Sequence, residues 1–171
     1  IVHIGQAIMT QKGEANSIEH ARIVMAMPGK VLRAVGGFGP LQQAPVYEDV
    51  VGEVRRFLRV AVKRCQQFGV AEDRLVVDPG FGFGKTQDHN LALFRALDEG
   101  LVGDLPILVG VSRKSMLGAI TGRPVGERLS ASVAAALIAA QKNAKILRVH
   151  DVAATKDALA VWSAIEKGIS Q

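Results

Sequence analysis

Cysteine is almost absent from this sequence, which has one such residue, Cys65, among 171. A lone cysteine cannot form a disulfide within the chain, so a disulfide-stapled secreted fold is excluded and a reducing cytoplasm fits best. Because Cys65 falls on the apolar side of a predicted helix, we expect it in the core. The single cysteine and the four histidines show no ligand spacing, which argues against a zinc site.

Long apolar runs are missing as well. No uninterrupted apolar stretch reaches the roughly 18 residues that a membrane-spanning helix requires. The first residues also lack a basic-then-apolar signal pattern, because Gly5, Gln6 and Lys12 interrupt it. The sequence therefore predicts no membrane association.

Aromatic residues are few, at 5%, and the excess of positive charge, +5, is scattered along the chain. Arg55, Arg56, Lys63 and Arg64 lie on a predicted helix whose other positions are apolar, which is typical of a solvated face. There is no interleaving of aromatic and basic residues of the kind that binds single strands. We therefore expect no nucleic-acid partner, and the modest positive excess suits an enzyme for anionic substrates.

Apolar runs and amphipathic segments alternate through most of the chain, in which 49% of residues are hydrophobic. They predict strands at 75–77, 106–111 and 146–150, and helices at about 50–68, 87–100, 127–141 and 151–167. With a possible strand at 22–27, the order β-α-β-α-β-α-β-α predicts a parallel sheet with right-handed crossovers. Four such units are half of an eight-stranded barrel or most of an open doubly wound sheet.

The most informative stretch is the glycine-rich loop Asp78-Pro79-Gly80-Phe81-Gly82-Phe83-Gly84-Lys85. It follows an apolar strand, so the Asp78 carboxylate can point into a cleft at the strand's carboxyl end. Its glycines allow positive φ and close approach of a ligand. The two phenylalanines either form an apolar wall for a flat ligand or only pack the loop onto the fold.

Polar groups also follow the other strands. Ser112-Arg113-Lys114-Ser115 comes directly after one, and Arg148-Val149-His150-Asp151 ends the next. The carboxyl ends of parallel strands are where ligands bind. A charged Arg148 in an apolar strand needs either an internal ion pair, for which Asp78 is a candidate, or a ligand anion. Spacing therefore allows a phosphate or pyrophosphate site near the last two strands.

These three motifs, in this order and spacing, resemble the dihydropteroate synthases of folate biosynthesis over about residues 43–167. The resemblance implies a TIM-type (β/α)₈ barrel, of which this chain holds a partial barrel of four to five β/α units. Residues 43–171 then form the C-terminal half of that pterin-binding barrel, behind a leader, residues 1–42, of unassigned structure.

The resemblance also implies a transferase activity and a sulfonamide target. The family condenses 6-hydroxymethyl-7,8-dihydropterin pyrophosphate with p-aminobenzoate and releases pyrophosphate. It implies Mg²⁺ as cofactor, although the usual protein ligand for the ion is not in this chain. A homodimer in the cytoplasm, with small-molecule substrates as its partners, is expected.

Residue by residue, the resemblance assigns three groups of side chains. The pterin would contact Asp78, Gly82, Phe83, Gly110, Lys114 and Arg148. The pyrophosphate would be held by Arg148 and His150, and p-aminobenzoate would lie near Ser112, Arg113 and Ser115, the last at a helix N-terminus. Lys114, Arg148 and His150 would be the catalytic residues.

Two other interpretations stay open from the sequence. A related pterin-binding barrel transfers a methyl group from a folate, but such a donor has no pyrophosphate for the Arg148–His150 pair to receive. An inactive truncated remnant would expose strand edges and associate with other chains through them.

Overall fold

The computed structural model describes residues 47–168, together with the backbone of two short strands before them. The strands are β1 (Ala7–Met9), β2 (Arg22–Met25), β3 (Leu75–Asp78), β4 (Ile107–Val109) and β5 (Ala144–Arg148). The helices are α1 (Val50–Gln67), α2 (Gln87–Arg95), α3 (Ser115–Thr121), α4 (Leu129–Gln141) and α5 (Val152–Lys167). β2 lies within the predicted range 22–27, and apart from β1 and β2 the leader is outside the described residues.

The five strands form one sheet in the order β1-β5-β4-β3-β2. β2, β3, β4 and β5 are parallel neighbours, as the alternation of strands and helices predicts. β1 departs from that expectation, because it pairs antiparallel with β5 through Ala7 and Arg148. The carboxyl ends of β3, β4 and β5 consequently lie side by side on one edge of the sheet.

Helix α1 follows its predicted apolar stripe closely. The Asp49 side chain caps its start by accepting a hydrogen bond from the Gly52 N–H, 3.0 Å away. Val54 and Leu58 are buried, and Gly69 follows the end of the helix with φ 80°, the left-handed conformation that stops a helix. Cys65 is half-buried and packs against the core, as expected.

The core is built on β3 and β4, where every residue is buried. Strands buried on both faces read as continuous apolar runs, which is the pattern that predicted them. The alanine-rich helix α4 buries Ala135, Ala136, Ala139 and Ala140, and its small side chains allow it to lie close to β5 and α5. These contacts hold the strand ends that carry the site.

The boundaries of β5 differ from prediction at both ends. β5 starts at Ala144 rather than 146, directly after Asn143, whose φ of 68° makes the turn. It ends at Arg148 rather than His150 because the His150 N–H donates to the Ser112 hydroxyl, 3.2 Å away, instead of to a neighbouring strand.

Candidate active site

The three sequence motifs meet at one edge of the sheet. Asp78 is the last residue of β3, Gly110 follows β4 directly, and Arg148 is the last residue of β5. Because β3, β4 and β5 are neighbours and run parallel, their carboxyl ends open onto a common space. The motifs that lie far apart in sequence therefore form one site.

Asp78 is the acidic centre of this site. Its side chain is 3% exposed, and its Oδ1 accepts a hydrogen bond of 2.7 Å from the Gly80 N–H. Burial raises the pKa of Asp78, while the Gly80 bond and the charges of Arg148, Lys114 and Lys85 oppose that rise. Three cations thus face one carboxylate.

No direct ion pair joins these groups within residues 47–168. The four ion pairs there join other residues, and none includes Asp78 or Arg148. The internal Arg148–Asp78 ion pair considered from the sequence is therefore not formed among the described residues. A carboxylate and a guanidinium that face the same space without pairing leave both available to a ligand.

Lys114 crosses from β4 to the glycine-rich loop after β3. Its Nζ donates a hydrogen bond to the Phe81 carbonyl and lies 4.4 Å from the centroid of the Phe83 ring. Gly82, with φ 75°, leaves room for it, since a Cβ there would lie 2.9 Å from the Lys114 Cδ. Burial is the main cause that lowers the pKa of Lys114, to about 8.

The two phenylalanines of the loop have different surroundings. Phe81 is buried and packs against Phe94, with ring centroids 5.5 Å apart, so it fixes the loop to the core. Phe83 is half-buried and lies under the Lys114 ammonium. Of the two alternatives left open by the sequence, packing describes Phe81, and a wall for a flat ligand stays a prediction for Phe83.

Sequence reasoning gave no role to two residues that hold this loop. The Lys85 Nζ donates to the carbonyls of Gly80 and Phe83, at 3.1 and 3.2 Å, and burial lowers the pKa of Lys85 to about 8. The buried Asn90 accepts from the Gly82 N–H at 2.8 Å. The sequence does contain a signal for Asn90, because this polar residue lies on the apolar face of α2.

Arg148 and His150 lie on the other side of the site. The Arg148 guanidinium lies over Gly110, where a Cβ would be 2.9 Å from its Nε and Nη2. His150 is exposed, and its Nδ1 lies 2.9 Å from the Ser112 Oγ. Ser112 is buried and contacts both the ring and the backbone N–H of His150, so it fixes the orientation of the imidazole.

The residues assigned to p-aminobenzoate have three separate surroundings. The Ser112 hydroxyl contacts His150. The Arg113 guanidinium forms a bidentate ion pair with Asp151, at 3.1 and 2.5 Å, which lowers the pKa of that carboxyl. Ser115 is exposed as the first residue of α3. Their roles toward p-aminobenzoate stay predictions.

Residues 47–168 contain no group of three histidine, cysteine, aspartate or glutamate side chains placed to hold a metal ion. Mg²⁺ needs no such cluster, because proteins usually hold it with one or two carboxylates together with water and substrate phosphates, so the Mg²⁺ that the resemblance implies stays a prediction. None of the helices described is long and apolar enough to cross a bilayer.

Comparison with known proteins identifies the family. The family described as pterin binding enzyme matches residues 14–150, most of the chain. The chain belongs to this family. The match starts before residue 43, where the resemblance seen in the sequence begins.

The relatives of the chain are dihydropteroate synthases. It is 46% identical over 151 residues to that of Haemophilus influenzae, covering 88% of this chain and 54% of the relative. For the enzyme of Neisseria meningitidis serogroup C the identity is 50%, over 73% of this chain and 45% of the relative. The chain spans about half the length of these curated relatives.

Solved structures agree with the sequence comparison. The dihydropteroate synthase of Stenotrophomonas maltophilia, with imidazole bound in its active site, superposes with a TM-score of 0.77 at 45% identity. The superposition covers 86% of this chain and 54% of that one. These neighbours have the TIM-barrel fold, and the parallel strands β2 to β5 are part of such a barrel, as the sequence predicts.

Proposed function

We propose that this chain acts as a dihydropteroate synthase, joining 6-hydroxymethyl-7,8-dihydropterin pyrophosphate to p-aminobenzoate. One observation carries the proposal: an aspartate, a lysine and an arginine converge from three neighbouring strand ends. They do so in a chain that is 45–50% identical to dihydropteroate synthases. Such a site suits a flat, hydrogen-bonding heterocycle with an anionic tail.

The heterocycle occupies the side of the site that is lined by the Asp78 loop. The Asp78 carboxylate accepts hydrogen bonds from ring N–H donors. The charges of three nearby cations favour its ionised form, and it makes no ion pair within 4 Å among the described residues. Lys114 donates to the ring, and Phe83 flanks it. Gly82 and Gly110 leave room for the side chains of Lys114 and Arg148, which lie over them and border the ring.

The reaction needs support for a leaving anion. The bond between the pterin methylene carbon and the diphosphate oxygen breaks, and the diphosphate takes the electron pair. The aniline nitrogen of p-aminobenzoate then bonds to that carbon and loses a proton to solvent. Arg148 and His150 stabilise the charge that develops on the diphosphate, and Ser112 holds the imidazole in place for this contact.

The p-aminobenzoate carboxylate lies near Ser115, which is exposed at the start of α3. Ser112 and Arg113 contribute to this subsite through the loop that they fix, because their polar atoms already contact His150 and Asp151. The substrates are thus small molecules that enter from the solvent side. We place the protein in the cytoplasm, where its thiol stays reduced.

We infer a homodimer, and exposed apolar side chains on α4 and α5 support it. Ile165 and Val161 on α5 are 76% and 59% exposed, and Ile138 on the adjacent helix α4 is 45% exposed. A second copy of the chain is the occupant that we propose. Sedimentation equilibrium is expected to give a dimer for the unaltered chain and a monomer for Ile165→Glu. A monomer for both would contradict the dimer.

An assay of the purified 171-residue chain tests the activity. Radiolabelled p-aminobenzoate, the pterin pyrophosphate and Mg²⁺ are supplied, and labelled dihydropteroate is expected as product. Asp78→Asn is expected to abolish product formation, while the matched control Asp73→Asn, on an exposed turn before β3, keeps it. Absence of product from the unaltered chain would contradict catalysis, and absence of pterin binding as well would contradict the site.

A further inference from the structure

The connection between β4 and α3 contains an unusual backbone conformation. Arg113 has φ 57°, and only one other non-glycine residue of 47–168, Asn143, has a positive φ. A side chain that is not glycine or asparagine rarely adopts this left-handed conformation without support. The residue directly after it is Lys114, which reaches the Asp78 loop.

Helix α4 and the residue that precedes it support both polar groups of the Arg113 backbone. The Arg113 N–H donates to the Ser132 Oγ at 2.9 Å, and its carbonyl accepts from the Arg128 Nη1 at 3.0 Å. Ser132 is 2% exposed, and its hydroxyl donates in turn to the Arg128 carbonyl at 2.6 Å. This buried hydroxyl therefore both donates and accepts a hydrogen bond.

The Arg128 guanidinium joins two further segments. Its Nε donates to the Arg123 carbonyl at 2.9 Å. The group also lies against Gly118 in α3, where a Cβ would be 2.2 Å from its Nη2. A side chain at position 118 would therefore displace the guanidinium from its bonds to Arg113 and Arg123.

We propose that Arg128 and Ser132 are positioning residues that fix the backbone of Arg113 and thereby aim Lys114 at the Asp78 loop. The inference rests on the proposed function only in that Lys114 borders the substrate. The Lys114 Nζ bonds to the Phe81 carbonyl, so a rotation of the backbone at Arg113 would carry the ammonium away from the loop. Neither Arg128 nor Ser132 bonds to the Asp78 loop, so both act through Arg113.

Variants of unrelated chemistry test this role. Arg128→Lys removes the fork that reaches two carbonyls. Ser132→Ala removes the acceptor for the Arg113 N–H. Gly118→Ala improves helix propensity in α3 but displaces the guanidinium. The matched control is Gly126→Ala, since a Cβ at position 126 would meet nothing within 4 Å.

The readout is the titration of the Lys114 amine, followed by NMR of the chain labelled at lysine Cε, with no substrate present. The Lys114 signal is assigned by its loss in Lys114→Gln. In the unaltered chain and in Gly126→Ala its pKa is expected near 8. In Arg128→Lys, Ser132→Ala and Gly118→Ala it is expected to move by about a unit or more toward 10.5, because a displaced ammonium is solvated.

Circular dichroism melting reports the folding of each variant. An unchanged Lys114 titration in folded Arg128→Lys and Gly118→Ala would overturn the proposal. If one variant fails to fold, the remaining two decide. Failure of all three to fold would also overturn it, since Arg128 and Ser132 would then maintain the fold rather than aim Lys114. Because the titration uses no substrate, its result does not depend on the outcome of the synthase assay.

Discussion

The two sides of the site are built differently. On the side of the Asp78 loop, the acidic and basic groups are mostly buried and bonded to the chain itself: Lys85 and Lys114 donate to loop carbonyls, and Asp78 accepts from Gly80. On the opposite side, His150 and Ser115 are exposed. The difference indicates that the chain prepares the heterocycle side by burial and internal hydrogen bonds, whereas the anion side stays more open to solvent.

Removing a group from the prepared side is therefore expected to cost more than removing one from the open side. A buried partner that loses its counterpart keeps its desolvation penalty, whereas an exposed one regains water.

Asp78→Asn is expected to weaken binding of the pterin pyrophosphate by about 100-fold or more. The substitution keeps the shape and an oxygen for the Gly80 N–H, but it removes the charge that faces ring donors and three cations. Isothermal titration calorimetry measures the change, with Asp73→Asn as the exposed control. A loss below threefold would contradict the assignment of Asp78 as the acceptor for the ring.

Raising the pH above about 8 is expected to weaken pterin binding, by up to about tenfold per pH unit. The pKa of Lys114 is lowered to about 8, so its ammonium is present below that pH and lost above it. Lys114→Met should bind weakly at every pH and lose this dependence. Affinity that is flat from pH 7 to 9.5 in the unaltered chain would show that Lys114 does not donate to the ligand.

Stability is expected to change with the opposite sign in the same range. Lys114 and Lys85 have a pKa of about 8 in the folded chain and near 10.5 when unfolded. Between these values the unfolded chain holds protons that the folded chain has released. The free energy of unfolding then rises with pH, by at most about 1.4 kcal/mol per unit for each lysine.

Urea unfolding at pH 7.5 and 9.5 measures this rise, and Lys85→Met is expected to reduce it by about half. The matched control is Lys63→Met, on the exposed face of α1. If the free energy of unfolding rises equally in Lys85→Met and in the unaltered chain, burial does not lower the pKa of Lys85 in the folded chain.

His150→Ala is expected to have the smallest effect. It should weaken binding of the pterin pyrophosphate by about tenfold, since one hydrogen bond to a charged group is lost. Binding of the pterin that carries no diphosphate should be unaffected. Calorimetry with both ligands measures the difference. An equal loss for the two ligands would place His150 on the heterocycle side and remove the contrast between the two sides.

Much of the fold was predictable because its signals are local. The apolar spacing of α1 and the continuous apolar runs of β3 and β4 are set by burial, and the structure confirms them. The convergence of Asp78, Lys114 and Arg148 also followed, because parallel strands bring their carboxyl ends together. The antiparallel pairing of β1 with β5 had no such signal in a three-residue strand.

The rest depends on contacts between distant segments. The bonds from Arg128 and Ser132 to Arg113, and the bidentate Arg113–Asp151 pair, join residues 15 to 38 positions apart. A motif containing Arg113 indicates a cation but not its partner. The bonds of Lys85 are local, but its place at the end of the loop motif gave no sign that its ammonium would bond two carbonyls within the loop.

The most direct test of the prepared heterocycle side is calorimetric titration of the unaltered chain with 6-hydroxymethyl-7,8-dihydropterin, which carries no diphosphate. We predict saturable binding of one ring per chain at pH 7, retained in His150→Ala and lost in Asp78→Asn. Binding of the pterin pyrophosphate without any binding of the ring alone would contradict the account.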